Sequence, residues 1–317
     1  MRPFSRSVLR DNFKQVFSAA ALLACVASAC GGPEDPLETT SSALTNSDFF
    51  DSSGRLTVKI TTCDWSAVLA HPSASCSVQP GFVLIGGGAE IEGNTPNALL
   101  YGSLPSGDLK TWIAASKDHL VSAPHRLRAY AIGLQVAGIS ESTLRSSMKY
   151  LTSLSNPAEH TTATANLPAG FFAVGGGAYD FFTADGALLT ETYSPDQLFA
   201  WTASAKDHIH ADVNRVMAAV IGLPVCMNDF CFDFATDSAS QFVNTGYGAA
   251  SVSTRPGYVP AGIGGQAQYN GNGRLLTKLL PFTPTGGPGV TVQSKDHQVA
   301  SSGWTNAYAM SLRTITF

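Results

Sequence analysis

Charge is scarce in this chain of 317 residues: Asp, Glu, Lys and Arg together make up 13%, and no stretch gathers them into a basic stripe. Without such a stripe nothing holds a phosphate backbone, so nucleic acid is not an expected partner. A Cys-x-x-Cys pair is also missing, which argues against a zinc knuckle or a thioredoxin-like redox site. No serine or cysteine sits in a Gly-x-Ser-x-Gly elbow. The glycine runs Gly86-Gly87-Gly88 and Gly175-Gly176-Gly177 lead to no Lys-Ser or Lys-Thr, so they are not phosphate loops. Close backbone approach or a β-bulge is the expected use of those glycines. The apolar run near the N-terminus, Val16 to Ala29, falls short of the roughly 20 residues a membrane-spanning helix needs. No cofactor is implied.

What the chain does contain is a repeat. Lys-Asp-His occurs at Lys117-Asp118-His119, Lys206-Asp207-His208 and Lys295-Asp296-His297, at two intervals of 89 residues. Equal spacing of a rare polar triplet marks a triplicated unit. Gly86-Gly87 recurs as Gly175-Gly176 and Gly264-Gly265 in the same register. So do the apolar runs opening at Ala129, Ala218 and Ala307, which are expected to be core. A double leucine, Leu99-Leu100, Leu188-Leu189 and Leu275-Leu276, drifts slightly, as surface turns of varying length allow.

The expected fold is all-β. Phe82 to Ile85 and Phe171 to Val174 are short apolar runs stopped by glycines, and Thr111 to Ala114 and Ala200 to Ala203 mix β-branched and aromatic residues. Turn residues recur too often for long helices; only Glu141 to Leu154 looks helical. Three units of about 89 residues, 55–133, 134–222 and 223–317, are expected to close around a pseudo-threefold axis. Pairing of the first strand, Leu56 to Ile60, with the last would close the ring and leave no free edge. A β-prism is the first expectation and a β-trefoil the alternative, although the Gln-x-Trp signature of trefoils is missing. Gly170-Phe171, Asp207 and Ile221-Gly222-Leu223, with their counterparts in the first unit, resemble the repeats of the vitelline-membrane outer-layer protein type of β-prism. That resemblance implies the prism fold and a lectin-like or coat role, and it transfers no site.

The N-terminus reads as an export signal. Arg2, Arg6, Arg10 and Lys14 precede the Val16–Ala29 apolar segment, and Ala27-Ser28-Ala29-Cys30 resembles a bacterial lipobox. The resemblance implies cleavage after residue 29, lipidation of Cys30 and a membrane contact through that anchor alone, at the outer membrane or cell surface. An ordinary secretory signal is the alternative. Residues 30–54 read as a flexible tether, rich in Pro, Ser, Thr and acids. An exported location favours disulfides among Cys63, Cys76, Cys226 and Cys231, and the local pairs Cys63–Cys76 and Cys226–Cys231 are expected. Without the signal, 15 basic residues face 22 acidic ones, a net charge of −7.

Four readings of the triplet compete. In the first it is structural: the aspartate holds a turn, and a triplicated fold keeps the device in every copy. In the second, Asp118, Asp207 and Asp296 accept hydrogen bonds from a glycan or another cell-surface component. Trp112 and Trp201, each six residues before the aspartate, would then stack on the sugar; Val290 stands at that place in the third unit. In the third, His119, His208 and His297 meet on the axis around a metal, with the aspartates orienting the rings. The fourth is a hydrolase acting on polysaccharide through Asp and His. A non-enzymatic surface protein that binds or builds is the expectation.

Overall fold

The computed structural model describes residues 45–182, 185–195 and 198–316. The signal segment, Cys30 and the tether as far as residue 44 lie outside the described residues. Among the described residues strands dominate, with one short helix, as the β-branched and alternating stretches require.

The first repeat supplies β1 (Thr45–Phe50), β2 (Leu56–Thr62), β3 (Ser73–Ser77), β4 (Val83–Ile91), β5 (Ala98–Pro105), β6 (Thr111–Asp118) and β7 (Leu127–Val136). The second supplies helix α1 (Glu141–Ser147), β8 (Lys149–Leu154), β9 (His160–Asn166), β10 (Phe171–Phe181), β11 (Leu188–Tyr193), β12 (Ala200–Lys206) and β13 (Arg215–Pro224). The third supplies β14 (Cys226–Met227), β15 (Phe230–Val243), β16 (Tyr247–Ser253), β17 (Val259–Tyr269), β18 (Arg274–Phe282), β19 (Pro288–Asp296) and β20 (Gly303–Thr316).

The strands form three antiparallel sheets, and every sheet is shared by two repeats. Their orders are β1-β2-β7-β4-β18-β19-β16, β3-β6-β5-β10-β13-β8 and β14-β15-β20-β17-β11-β12-β9. The second repeat gives three strands to one sheet and three to the next, whereas the first and the third each give four to one sheet and three to another. The seams between repeats are narrow. β4 meets β18 through Ala89 and Glu90 against Leu279 and Lys278, β5 meets β10 through Gly102 and Ser103, and β11 meets β17 through Glu191 and Thr192.

These seams correct one expectation. The first and last strands do not close the ring: β2 pairs with β1 and β7, whereas β20 pairs with β15 and β17. Two boundaries move as well. Residues 45–50, assigned to the tether, form β1, because Phe49 and its neighbours match β2 in full register. The helical stretch stops at Ser147: Ser140 caps it by accepting the Thr143 N–H, and the following residues pair as the strand β8.

Glycine explains the interior. Each glycine-run strand slips register against its neighbour, between Leu84 and Gly86, Ala173 and Gly175, and Pro260 and Ile263. At these bulges the three repeats touch backbone to backbone. A Cβ on Gly86 would meet the Ala261 carbonyl at 2.8 Å, one on Gly175 the Ile85 carbonyl at 2.1 Å, and one on Gly262 the Val174 carbonyl at 2.6 Å. Leu99, Leu188 and Leu275, one from each repeat, form a small buried cluster of their own. Both expected disulfide pairs are present: Cα separations are 5.5 Å for Cys63–Cys76 and 3.8 Å for Cys226–Cys231.

Candidate functional site

Each triplet closes a strand, β6, β12 or β19, and its histidine begins a very tight turn. The carbonyls of His119, His208 and His297 accept N–H bonds from residues two further on, Val121, His210 and Val299, at 2.7, 2.7 and 2.6 Å. Such a turn forces the residue between into the left-handed region: φ is 64° at Leu120, 65° at Ile209 and 59° at Gln298. A non-glycine residue there costs about 1–2 kcal/mol, and the surrounding fold must impose it. Here it is imposed three times, at one place in the repeat.

The turns bring the three imidazoles together. Ring centroids lie 5.4 Å apart for His119 and His208, 5.0 Å for His119 and His297, and 5.3 Å for His208 and His297. All three side chains are buried, at 1%, 1% and 4% exposure. One ring nitrogen from each lies within 4.8 Å of the other two. Burial, and the repulsion a charged ring would meet from its neighbours, push His119 down to about 3 and His297 down to about 4. His208 is lowered by burial too. Burial thus favours the neutral form of all three rings.

The rings differ in their partners. His208 Nε2 lies 2.6 Å from the His297 carbonyl, and its Nδ1 lies 2.8 Å from the Asn272 carbonyl. His297 Nε2 lies 3.0 Å from the His119 carbonyl. Neither nitrogen of His119 has a hydrogen-bond partner among the described residues. The aspartates do not orient these rings, contrary to the expected second-shell role; backbone carbonyls do. Asp118 accepts the Ala123 N–H at 3.0 Å and faces His71 at 3.2 Å. Asp207 faces His160 at 3.0 Å, and Asp296 accepts the Gly246 N–H at 2.8 Å and the Ser301 N–H at 3.3 Å. Pleating sends Lys and His inward and leaves Asp half-buried at the rim.

The lysines are buried as well. Lys206 donates to the Asn272 carbonyl at 2.5 Å and lies 4.4 Å from the Tyr269 ring; Lys295 donates to the Thr95 carbonyl at 3.0 Å. Asn272 belongs to the third repeat and Thr95 to the first, so each contact joins two repeats. Lys117 lies 3.5 Å from the centre of the Phe182 ring with no hydrogen bond from its ammonium among the described residues, and Asp180 is its foremost counter-charge. Burial pushes Lys117 down to about 8 and Asp180 up to about 8.

The tryptophans occupy no binding face. Trp112 donates to Ser103 Oγ at 3.0 Å and Trp201 to Thr192 Oγ1 at 2.8 Å. Both rings are buried against glycine, and a Cβ on Gly87 or Gly176 would lie 2.3 or 2.4 Å from the indole. Neither ring can stack on a sugar, so the pairing of aspartate with an aromatic platform is absent. In the third repeat Val292 and Leu279 cover the matching Gly265, not Val290.

Two buried groups escaped the sequence reading. Asp180 is an acid inside the apolar strand β10, a signal that could have been noticed. Arg274 is fully buried and donates to Ser294 Oγ and to the carbonyls of Ser301, Gly246 and Ser294. Its clue was compensation: His125 and Asn214 stand where the third repeat has Gly303, and that repeat carries Arg274 where the others have Ala98 and Ala187. An open polar groove of about 310 Å³ lies along the β11–β17 seam, lined among others by His160, Thr162, Glu191, Gln266 and Tyr269.

No family model matches the chain, and no curated protein does. Among solved structures, one described as the triple jelly roll fold and turret assembly in an archaeal virus aligns over 85% of this chain and 89% of that one. The identity is 10% and the TM-score 0.17, too low to carry an argument.

Proposed function

We propose that this chain is an exported, non-enzymatic surface lipoprotein whose body is a closed pseudo-threefold β-prism, held shut by the Lys-Asp-His triplets. The observation that carries this reading is the inward disposal of the triplets. Six of their nine side chains, the lysines and histidines, are buried, and each aspartate holds its own turn or a neighbouring histidine. Groups meant for a substrate in solution would face a cleft. The export signal and two disulfides support the compartment. An Asp118→Ala, Asp207→Ala, Asp296→Ala variant of the mature chain should unfold at clearly lower temperature than the parent. Unchanged melting would remove the structural role. A Cys30→Ala variant should leave the membrane fraction for the soluble one; retention on the membrane would end the lipid-anchor reading.

Glycan binding is the second reading, moved from the triplets to the groove at the β11–β17 seam. There Tyr269 lies beside Glu191, Gln266, Thr162 and His160, an aromatic ring among several hydrogen-bonding side chains. A glycan array probed with the parent and with Tyr269→Ala tests it. Absence of any hit from folded parent ends it.

A further inference from the structure

We propose that the His119, His208 and His297 cluster is a binding site for one borderline divalent metal ion of the zinc class, held by one ring nitrogen from each repeat. Three observations converge on it. The first is convergence itself: three buried imidazoles, each delivered by a strained turn, present nitrogens within 4.8 Å of one another. Nitrogens at that spacing surround a point about 2.8 Å from each, a water-sized gap. Zinc–nitrogen bonds are about 2.0–2.1 Å, so side-chain rotations that draw the rings inward by less than about 1 Å close the site.

The second observation is a conflict at His208. Both of its nitrogens face backbone carbonyls, at 2.8 and 2.6 Å. A neutral imidazole has a single N–H, and its other nitrogen carries a lone pair. One of the two contacts therefore sets lone pair against lone pair. A cation resolves the conflict. With Nδ1–H donating to the Asn272 carbonyl, the ring has the arrangement metal-bound histidines commonly adopt, and Nε2 ligates once the ring turns off the His297 carbonyl it faces at 2.6 Å.

The third observation is His119, at 1% exposure with neither nitrogen hydrogen-bonded among the described residues. Buried polar atoms without partners call for a bound water or ion. Burial also fixes the role of such an ion. No substrate reaches it, so it is a structural clasp joining three repeats that share no covalent link there. The three lysines oppose a cation; each has its own aspartate beside it to offset that charge. The choice of metal follows from the ligands: imidazole suits zinc, copper, nickel and cobalt, and hard cations such as calcium or magnesium prefer oxygen.

The test uses the mature chain purified in detergent, stripped with chelator and titrated with cobalt(II). One equivalent per chain is expected, with the visible bands of cobalt in a nitrogen-ligated site and a rise in melting temperature. His119→Gln and His297→Gln should each abolish the bands. A His71→Gln, His160→Gln, His210→Gln variant, altered only at exposed rings, should keep them. If the buried-ring variants do not fold, parent stoichiometry and the exposed-ring variant still decide. No stoichiometric cobalt on folded parent would leave a trapped water in the site and overturn the proposal. Loss of the bands in the exposed-ring variant would place the ion on the surface and overturn it equally. Neither failure touches the scaffold reading, which rests on melting of the aspartate variant.

Discussion

At the scale of single residues, the most exacting position is Asp180. Its carboxyl is fully buried with no hydrogen bond among the described residues, and burial pushes it up to about 8, opposed by Lys117 and reinforced by Asp212. In the unfolded chain it titrates near the ordinary 3.8. The folded state therefore holds a proton that the unfolded state has released. Asp180 contributes stability in full below about pH 3.8 and loses it as pH rises through about 8. Asp180→Asn keeps the shape and removes the titration. The unfolding midpoint of the parent should fall relative to that variant between pH 5 and 8, measured by circular dichroism melts; parallel curves would refute the buried-acid assignment. Lys117, pushed down to about 8, acts in the opposite sense above that pH, so the comparison belongs below it. A second residue prediction concerns the turn after the second triplet. Ile209 holds φ 65° while 44% exposed, so Ile209→Gly relieves strain and removes little packing. Stability should rise by about 1 kcal/mol. A drop of similar size in chemical denaturation would show that the side chain matters more than the strain.

At the scale of elements, the glycine-run strands set the spacing of the interior. Indole and glycine form one unit in two repeats: the ring of Trp201 on β12 lies on Gly176 of β10, a strand of another sheet, and that of Trp112 on β6 lies in the same way on Gly87 of β4. Gly176→Ala forces a methyl group within 2.4 Å of the ring and 2.3 Å of the Ala219 carbonyl. It should cost about 1–3 kcal/mol in chemical denaturation, the usual penalty of overpacking a dense core. A neutral result would show that β10 and β12 can part without loss. This pairing also shows what sequence could and could not carry. The 89-residue register exposed the repeats, the strand types and the bulge role of the glycines, because all of these are local patterns. Which element a side chain meets across the fold is not local. Trp112 read as a face for sugar because period two put it on one side of β6, and nothing in that period tells a solvent face from an interior one. Likewise the histidine cluster was legible as one geometry among several, whereas nothing local showed that its rings are oriented by backbone carbonyls of other repeats, those of His297 and His119 at 89 and 178 residues and that of Asn272 at 64.

At the scale of the whole molecule, the sharing of sheets decides how the chain must fold. In a solenoid each repeat is a complete layer, and stability grows roughly by addition along the chain. Here no repeat owns a sheet. The first gives β2, β7 and β4 to a sheet completed by β18, β19 and β16 of the third, and β3, β6 and β5 to one completed by the second. A chain ending at residue 222 would keep the β5–β10 seam and lose partners at both β4 and β11. It would also lose Gly262 from the three-way backbone contact, Leu275 from the leucine cluster and His297 from the histidines. Exposed strand edges of this kind pair with other chains. The truncated protein should therefore fail to give a cooperative melt and should aggregate, while the complete chain unfolds in a single transition. A soluble two-repeat fragment with its own sharp transition would show that the repeats are modules and that the shared sheets follow from, but do not create, their stability.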